Sequence, residues 1–229
     1  MGTDISGWVE VAEEWNYLNA PPETHWDAVV LIDSLVGRSY DMFGLLFGVT
    51  NYANLPPVVA GRSLPPDTSD LALEHYCRGE TCAESWILWS EIASIDWSVD
   101  ALDGRPHRYE RAADGTLVYE SKAMPLFQSK PPEGIEHEEG NEWERDGAVY
   151  RFERVSRADV FSEQPDWKLL FAIMERLAEC YGQDKVRLVV WFDREVRSPG
   201  RRRTSACSGA RAARSFRLPL TPSRAPADA

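Results

Sequence analysis

The chain has 229 residues, with 25 Lys and Arg against 37 Asp and Glu, four Cys and nine Trp. This describes an acidic, aromatic-rich globular protein of one domain or two small ones, long enough to bury about 70% of its extended-chain surface without a disulfide or metal staple. No apolar run approaches the roughly 20 residues that cross a bilayer. Met1 to Val11 carries Asp4 and Glu10 where a signal peptide would have basic and apolar regions. No membrane partner is therefore expected, and a cytoplasmic location is the default expectation.

The charge is unevenly spread. Eight Arg against Glu195 and Asp228 give residues 195–229 a net charge of +6, which leaves −18 for residues 1–194. The Arg, Ala, Pro and Ser of this tail cannot build a core, so the tail is expected to be disordered. Arg201, Arg202 and Arg203 could contact an anionic partner, but a lysine-free segment of this composition reads as a GC-rich gene translated out of frame. The expected domain is residues 1–194, and no direct nucleic-acid binding is expected of it.

Within the domain, Ile5, Val9 and Val11 alternate with polar residues, so Asp4 to Val11 reads as a strand that could pair with Ala28 to Ile32. Ser39 is a candidate N-cap for a helix over Tyr40 to Phe47, ended by Gly48. The proline-rich middle reads as loop, followed by a brief strand at Trp86 to Trp89 and a short helix from about Glu91 to Ile95. Asp114-Gly115 and Asp146-Gly147 predict two hairpins, Arg108 to Ala112 with Thr116 to Glu120 and Asn141 to Arg145 with Ala148 to Val155. After Pro165, a helix places Trp167, Leu170, Phe171, Met174, Leu177, Ala178 and Tyr181 on one buried face, with Cys180 on that face or its edge. Val186 to Phe192 is expected to be a central strand. The expected class is α+β: a single domain with a mixed or antiparallel sheet, two main helices and two β-hairpins.

The candidate chemistry is sparse. His75, Cys77 and Cys82 supply three soft ligands at a spacing that does not close a zinc tetrahedron, so no metal and no cofactor is expected. The acidic run Glu136, Glu138 and Glu139 reads as a solvated loop. Nucleophile-elbow, phosphate-loop and metalloprotease signatures are missing from the sequence. What remains is Trp8, Arg38, Tyr40, Phe43, Asn51, Tyr52, Arg62, Asp67, Ser85 and Trp86, because Arg beside aromatics is a common way to hold planar or anionic ligands.

Several stretches carry a resemblance: Asp4-Ile5-Ser6-Gly7-Trp8-Val9-Glu10, Gly37-Arg38-Ser39-Tyr40-Asp41-Met42-Phe43 with Gly48-Val49-Thr50-Asn51, and Gly61-Arg62-Ser63-Leu64-Pro65-Pro66-Asp67-Thr68-Ser69. Ser85-Trp86-Ile87 and Val186-Arg187-Leu188-Val189-Val190-Trp191-Phe192-Asp193 extend it over most of residues 1–194. Together they resemble a family of small phage and bacterial proteins to which no activity is assigned. Family members read Asp-Ile-His, Arg-Asn-Tyr and His-Ser-x-Ser-Trp where Ser6, Ser39 and Cys82 stand here. The resemblance implies a phage-type accessory role, with any histidine chemistry of the family lost in this member.

The leading expectation is a noncatalytic binding module. Its ligand is a small anionic or planar molecule, or a protein partner, held by Trp8, Arg38, Tyr40, Asn51, Arg62, Asp67, Ser85 and Trp86. Two other classes stay open. One is a small hydrolase built on carboxylates, with Asp4, Glu10, Asp67 and Asp193 the best candidates, and the other is an acidic decoy that mimics nucleic acid.

Overall fold

The computed structural model describes residues 2–15, 23–79, 81–124 and 129–194. The Arg-rich tail, 195–229, lies outside the described residues. In chain order the elements are β1 (Thr3–Trp15), β2 (Glu23–Leu31), α1 (Tyr40–Phe47), α2 (Asp70–Tyr76), β3 (Cys82–Leu88), α3 (Trp89–Ala93) and β4 (Asp100–Leu102). They continue with β5 (His107–Arg111), β6 (Leu117–Lys122), β7 (Glu142–Arg145), β8 (Ala148–Arg151), β9 (Arg154–Ser156), α4 (Arg157–Ser162), α5 (Pro165–Tyr181) and β10 (Val186–Arg194). The fold is a single α+β domain in which each described strand pairing is antiparallel.

The main sheet has the order β2-β1-β10-β3, so the apolar strand β10 is central. Side chains alternate across a strand, and the register sorts them. Ile5, Val9 and Val11 lie opposite Phe192, Leu188 and Val186 on the inner face. There they meet Met42, Phe43, Leu45 and Leu46 of α1 and Trp167, Leu170, Phe171 and Met174 of α5 in one buried core. Each such aliphatic or aromatic side chain contributes about 1.5–3 kcal/mol by leaving water. Asp4, Ser6, Trp8 and Glu10 lie opposite Asp193, Trp191, Val189 and Arg187 on the outer face.

α1 starts where the Ser39 side chain accepts a hydrogen bond from the Met42 amide, and it stops at Gly48, whose φ of 73° is the left-handed conformation that glycine adopts cheaply. α5 begins with Pro165 at its first turn. Its buried face ends at Ala178: Leu177 is partly buried, and Tyr181 and Cys180 are exposed. Periodicity alone places both in or beside the core, but burial stops one turn before the helix does.

Both Asp-Gly hairpins form, as β5–β6 and β7–β8, in a second sheet of order β6-β5-β8-β7. The strand expected to run from Ala148 to Val155 ends at Arg151, and Arg154–Ser156 pairs instead with β4. The stretch expected to be loop contains α2, capped by Ser69, whose hydroxyl accepts from the Ala72 amide.

α2 and the loop before it are fixed to the outer face by an ion network at a buried rung. Glu10 Oε2 accepts from Arg187 Nε at 2.7 Å, and Glu10 Oε1 accepts from the Ser69 amide at 2.9 Å and the Ser69 hydroxyl at 2.6 Å. Arg187 donates onward to Asp67 Oδ1 at 2.7 Å and to the Asp67 carbonyl at 3.0 Å, with its guanidinium 3.8 Å from the Trp26 ring centroid. Burying these charges is tolerable only because each has a partner.

Candidate functional site

The structure separates the residues expected to form one site. Arg62 donates two hydrogen bonds to the Glu91 carboxylate, at 2.8 and 2.6 Å, and one to the Trp86 carbonyl at 3.2 Å, with its guanidinium stacked 4.5 Å from the Trp86 ring centroid. The hydrogen bond from Arg62 is the main reason the Glu91 carboxyl lies below its ordinary range. Arg38 is exposed and makes a bidentate pair with Asp4, at 2.9 and 2.8 Å. Trp86 lies opposite Val189, which lies opposite Trp8. The two arginine anchors are therefore four residues apart along the strands, about 13 Å at a rise of about 3.3 Å per residue.

The other expected residues are tied locally. The Tyr40 hydroxyl accepts from the Thr3 amide at 3.4 Å, and Asn51 Nδ2 donates to the Leu55 carbonyl at 2.7 Å. Asp67 belongs to the Arg187 network. Ser85 is buried, and its hydroxyl has no hydrogen-bond partner among the described residues. Phe43 is in the core. Of the expected set, Arg62 and Trp86 are in contact, and Tyr40 packs edge-on against Phe43 and Tyr52 and interacts with Arg38; these two groups stay apart.

The four candidate carboxylates fall into two unlike pairs. Glu10 and Asp67 share Arg187 and are neutralised by it. Asp4 and Asp193 face each other across β1 and β10 at the other end of the outer face. Like charges directly opposite one another in a ladder destabilise it. Arg38 offsets Asp4, whereas Asp193 has no hydrogen bond or ion pair among the described residues. The Asp193 carboxyl is pushed above its ordinary value by burial, then by the charges of Asp4 and Asp33, with His75 opposing.

Asp33 and His75 complete this carboxylate end. Asp33 Oδ1 accepts from the Gly7 amide at 3.1 Å, and Asp33 Oδ2 lies 3.4 Å from His75 Nε2. Trp8 Nε1 donates to His75 Nδ1 at 3.1 Å. Gly7 is required here: a Cβ at this position would lie 2.2 Å from the Val189 carbonyl oxygen. Asp33 escaped sequence reasoning because it follows β2 without any motif and reaches the site only through the β1–β2 pairing. His75 was noticed only beside Cys77 and Cys82, and among the described residues no group of three or more His, Cys, Asp or Glu side chains could hold a metal ion.

A second polar cluster lies where the hairpin sheet meets α1. Arg105 donates to Asp41 at 2.6 Å and to Asp103 at 2.9 Å, and Lys122 donates to Asp41 at 2.7 Å. His107 lies between Asp103, at 3.6 Å, and Glu153, at 3.3 Å, and Glu153 accepts from the Tyr109 hydroxyl at 2.6 Å. Burial would raise the Asp103 carboxyl, but the His107 imidazole beside it and the hydrogen bonds from Arg105 hold it well below the carboxylate range. With each carboxylate facing a cation or imidazole, this cluster fastens the hairpin sheet to α1. Asp193 is opposed only by the His75 imidazole and has no ion pair or hydrogen bond among the described residues.

No helix among the described residues is long and apolar enough to cross a membrane. No family model matches the chain, and neither a curated protein nor a solved structure matches it.

Proposed function

We propose that the domain is a noncatalytic binding module whose ligand is a cationic group, a Lys or Arg side chain presented by a protein partner, received at the carboxylate end. One observation carries this reading: Asp193 is a partly buried carboxylate beside Asp4 and Asp33 with no hydrogen bond or ion pair among the described residues. A cation placed there would offset the cost of burying the charged carboxylate, relieve its repulsion from Asp4 and Asp33, and supply it with hydrogen bonds. An anionic ligand has weaker support, because it would have to displace Asp4 from Arg38 or Glu91 from Arg62.

Titrating the full chain with a hexalysine or hexaarginine peptide at low salt, followed by backbone amide shifts, tests the reading. Shifts should centre on Asp4, Asp33 and Asp193 and be lost in Asp193→Asn. Shifts scattered over the acidic surface and unchanged in the variant would refute it.

A carboxylate-based hydrolase is the second reading, favoured by the unlike surroundings of Asp4 and Asp193, since acid/base pairs need one carboxyl kept protonated beside one kept ionised. It requires turnover of some ester, amide or glycoside substrate that disappears in both Asp4→Asn and Asp193→Asn.

A further inference from the structure

We propose that Trp8 is a positioning residue: its indole fixes His75 as the Nε2–H tautomer and thereby directs the imidazole proton onto Asp33. The inference deepens the binding reading above and rests on it for its use, although its geometry stands alone.

An indole N–H can only donate. Trp8 Nε1 lies 3.1 Å from His75 Nδ1, so in the neutral ring Nδ1 is the acceptor and the hydrogen is on Nε2. Nε2 in turn faces Asp33 Oδ2 at 3.4 Å. The ring cannot turn over easily, because it is held edge-on between Trp8, with centroids 6.2 Å apart, and the buried Trp191, with centroids 5.1 Å apart. Besides Asp33, the charged group that interacts with the ring is Asp193, which lies opposite Asp4 in the ladder, while Glu74 and Arg78 of the α2 segment pair with each other.

The arrangement selects which carboxylate stays open. Asp33 is engaged at one oxygen by the Gly7 amide and at the other by His75, and Asp4 is engaged at both oxygens by Arg38. Asp193 has no hydrogen bond to either oxygen among the described residues. Trp8 acts through His75 and Asp33, so an incoming cation meets Asp193 and not Asp33. The Nδ1 lone pair is also occupied, so His75 offers neither a metal ligand nor a base at that atom.

Long-range hydrogen–nitrogen correlation spectra of the full chain with labelled histidine, recorded at pH 8.5 where ordinary imidazoles are neutral, should show His75 Nε2 protonated and Nδ1 bare. The Trp8 indole proton should exchange slowly with solvent. His75→Gln retains an acceptor and should keep that exchange within about threefold of wild type, whereas His75→Leu should speed it at least tenfold. A wild-type ring protonated on Nδ1, or equal indole exchange in the two variants, overturns the proposal. If one variant fails to fold, the wild-type nitrogen pattern decides alone. These spectra need no ligand, so a failed cation titration with the tautomer as stated rejects the binding reading and leaves this one standing.

Discussion

Asp4 and Asp193 occupy one rung of the β1–β10 ladder, and Arg38 bonds both oxygens of Asp4 only. Six residues further along β1, the same ladder sets Glu10 against Arg187, opposite charges in direct contact and almost wholly buried. One rung binds the sheet to its cover, and the other works against the sheet. A fold that neutralises the fully buried rung and leaves the partly buried one in conflict concentrates its unmet electrostatic demand at one place.

Replacing Asp193 with Asn should therefore stabilise the protein near neutral pH. The raised carboxyl favours the protonated form in the folded state, so its contribution is full below the unfolded value near pH 4 and is lost as pH rises through the folded value. Favourable cross-strand pairs are worth about 0.2–1 kcal/mol and like charges opposite one another are destabilising; taking a repulsion of similar size, solvent screening at this partly exposed group places the gain in the lower half of that range. Denaturant melts of both proteins at pH 3.5 and pH 7 should differ only at the higher pH. A variant less stable at pH 7 would show that Asp193 has a partner.

Asp103 predicts the opposite slope. Its carboxyl is buried, which alone would raise it, yet His107 and Arg105 hold it far below the ordinary range. The stability it contributes is present above the unfolded value near pH 4 and is lost as pH falls below that value toward the folded one. Asp103→Asn leaves Arg105 and His107 short of a counter-charge and should cost about 3–5 kcal/mol. The variant's stability should also vary less than wild type between pH 5 and pH 2, as read by acid-dependent thermal melts.

Which parts of this could be read from residues alone follows from how local each signal is. The alternation of Ile5, Val9 and Val11, the Ser39 cap, the spacing from Trp167 to Ala178 and the two Asp-Gly turns act within a few residues, and each produced its element. α2 has a local start in the Ser69 cap, but seven residues after a proline-rich stretch carry too little periodicity to register, and the Ser69 bonds that dock it come from Glu10 on a distant strand. The three-residue strands β4 and β9 carry too little pattern to register. Asp4 and Asp193 were identifiable as carboxylates of interest, but that they share a rung is a fact of register. Asp33 became a neighbour only through the Gly7 amide.

The two arginines singled out by their Gly-Arg-Ser setting should behave differently. Arg62 joins Glu91, the Trp86 carbonyl and the Trp86 ring, so Arg62→Ala should cost about 2 kcal/mol as those partners lose their donor. Arg38→Ala should leave the melting temperature nearly unchanged, because Arg38 and Asp4, its ion-pair partner, are both exposed and its interaction with Tyr40 is the lesser one. Inorganic phosphate at millimolar concentration should not raise the melting temperature of wild type. A phosphate-dependent rise abolished in both variants would restore an anion as the ligand.

The Glu10–Arg187 rung offers the sharpest test of how the outer face is held. Arg187→Met strands a fully buried carboxylate whose remaining donors are the Ser69 amide and hydroxyl, and it also removes the stack on Trp26. Breaking one member of such a pair costs about 3–5 kcal/mol, whereas replacing both with apolar residues of similar volume is often close to neutral. Arg187→Met alone should therefore be much less stable than the double variant Glu10→Leu with Arg187→Met. The double variant still frees Asp67 and Ser69, so it should recover only part of the loss, with a coupling energy of about 1–3 kcal/mol in the double-mutant cycle. Because α2 carries His75, hydrogen exchange in Asp70–Tyr76 should accelerate in the single variant well before the amides of β10 are affected. Uniform acceleration throughout the domain would instead mean that the rung holds the sheet itself and not its cover.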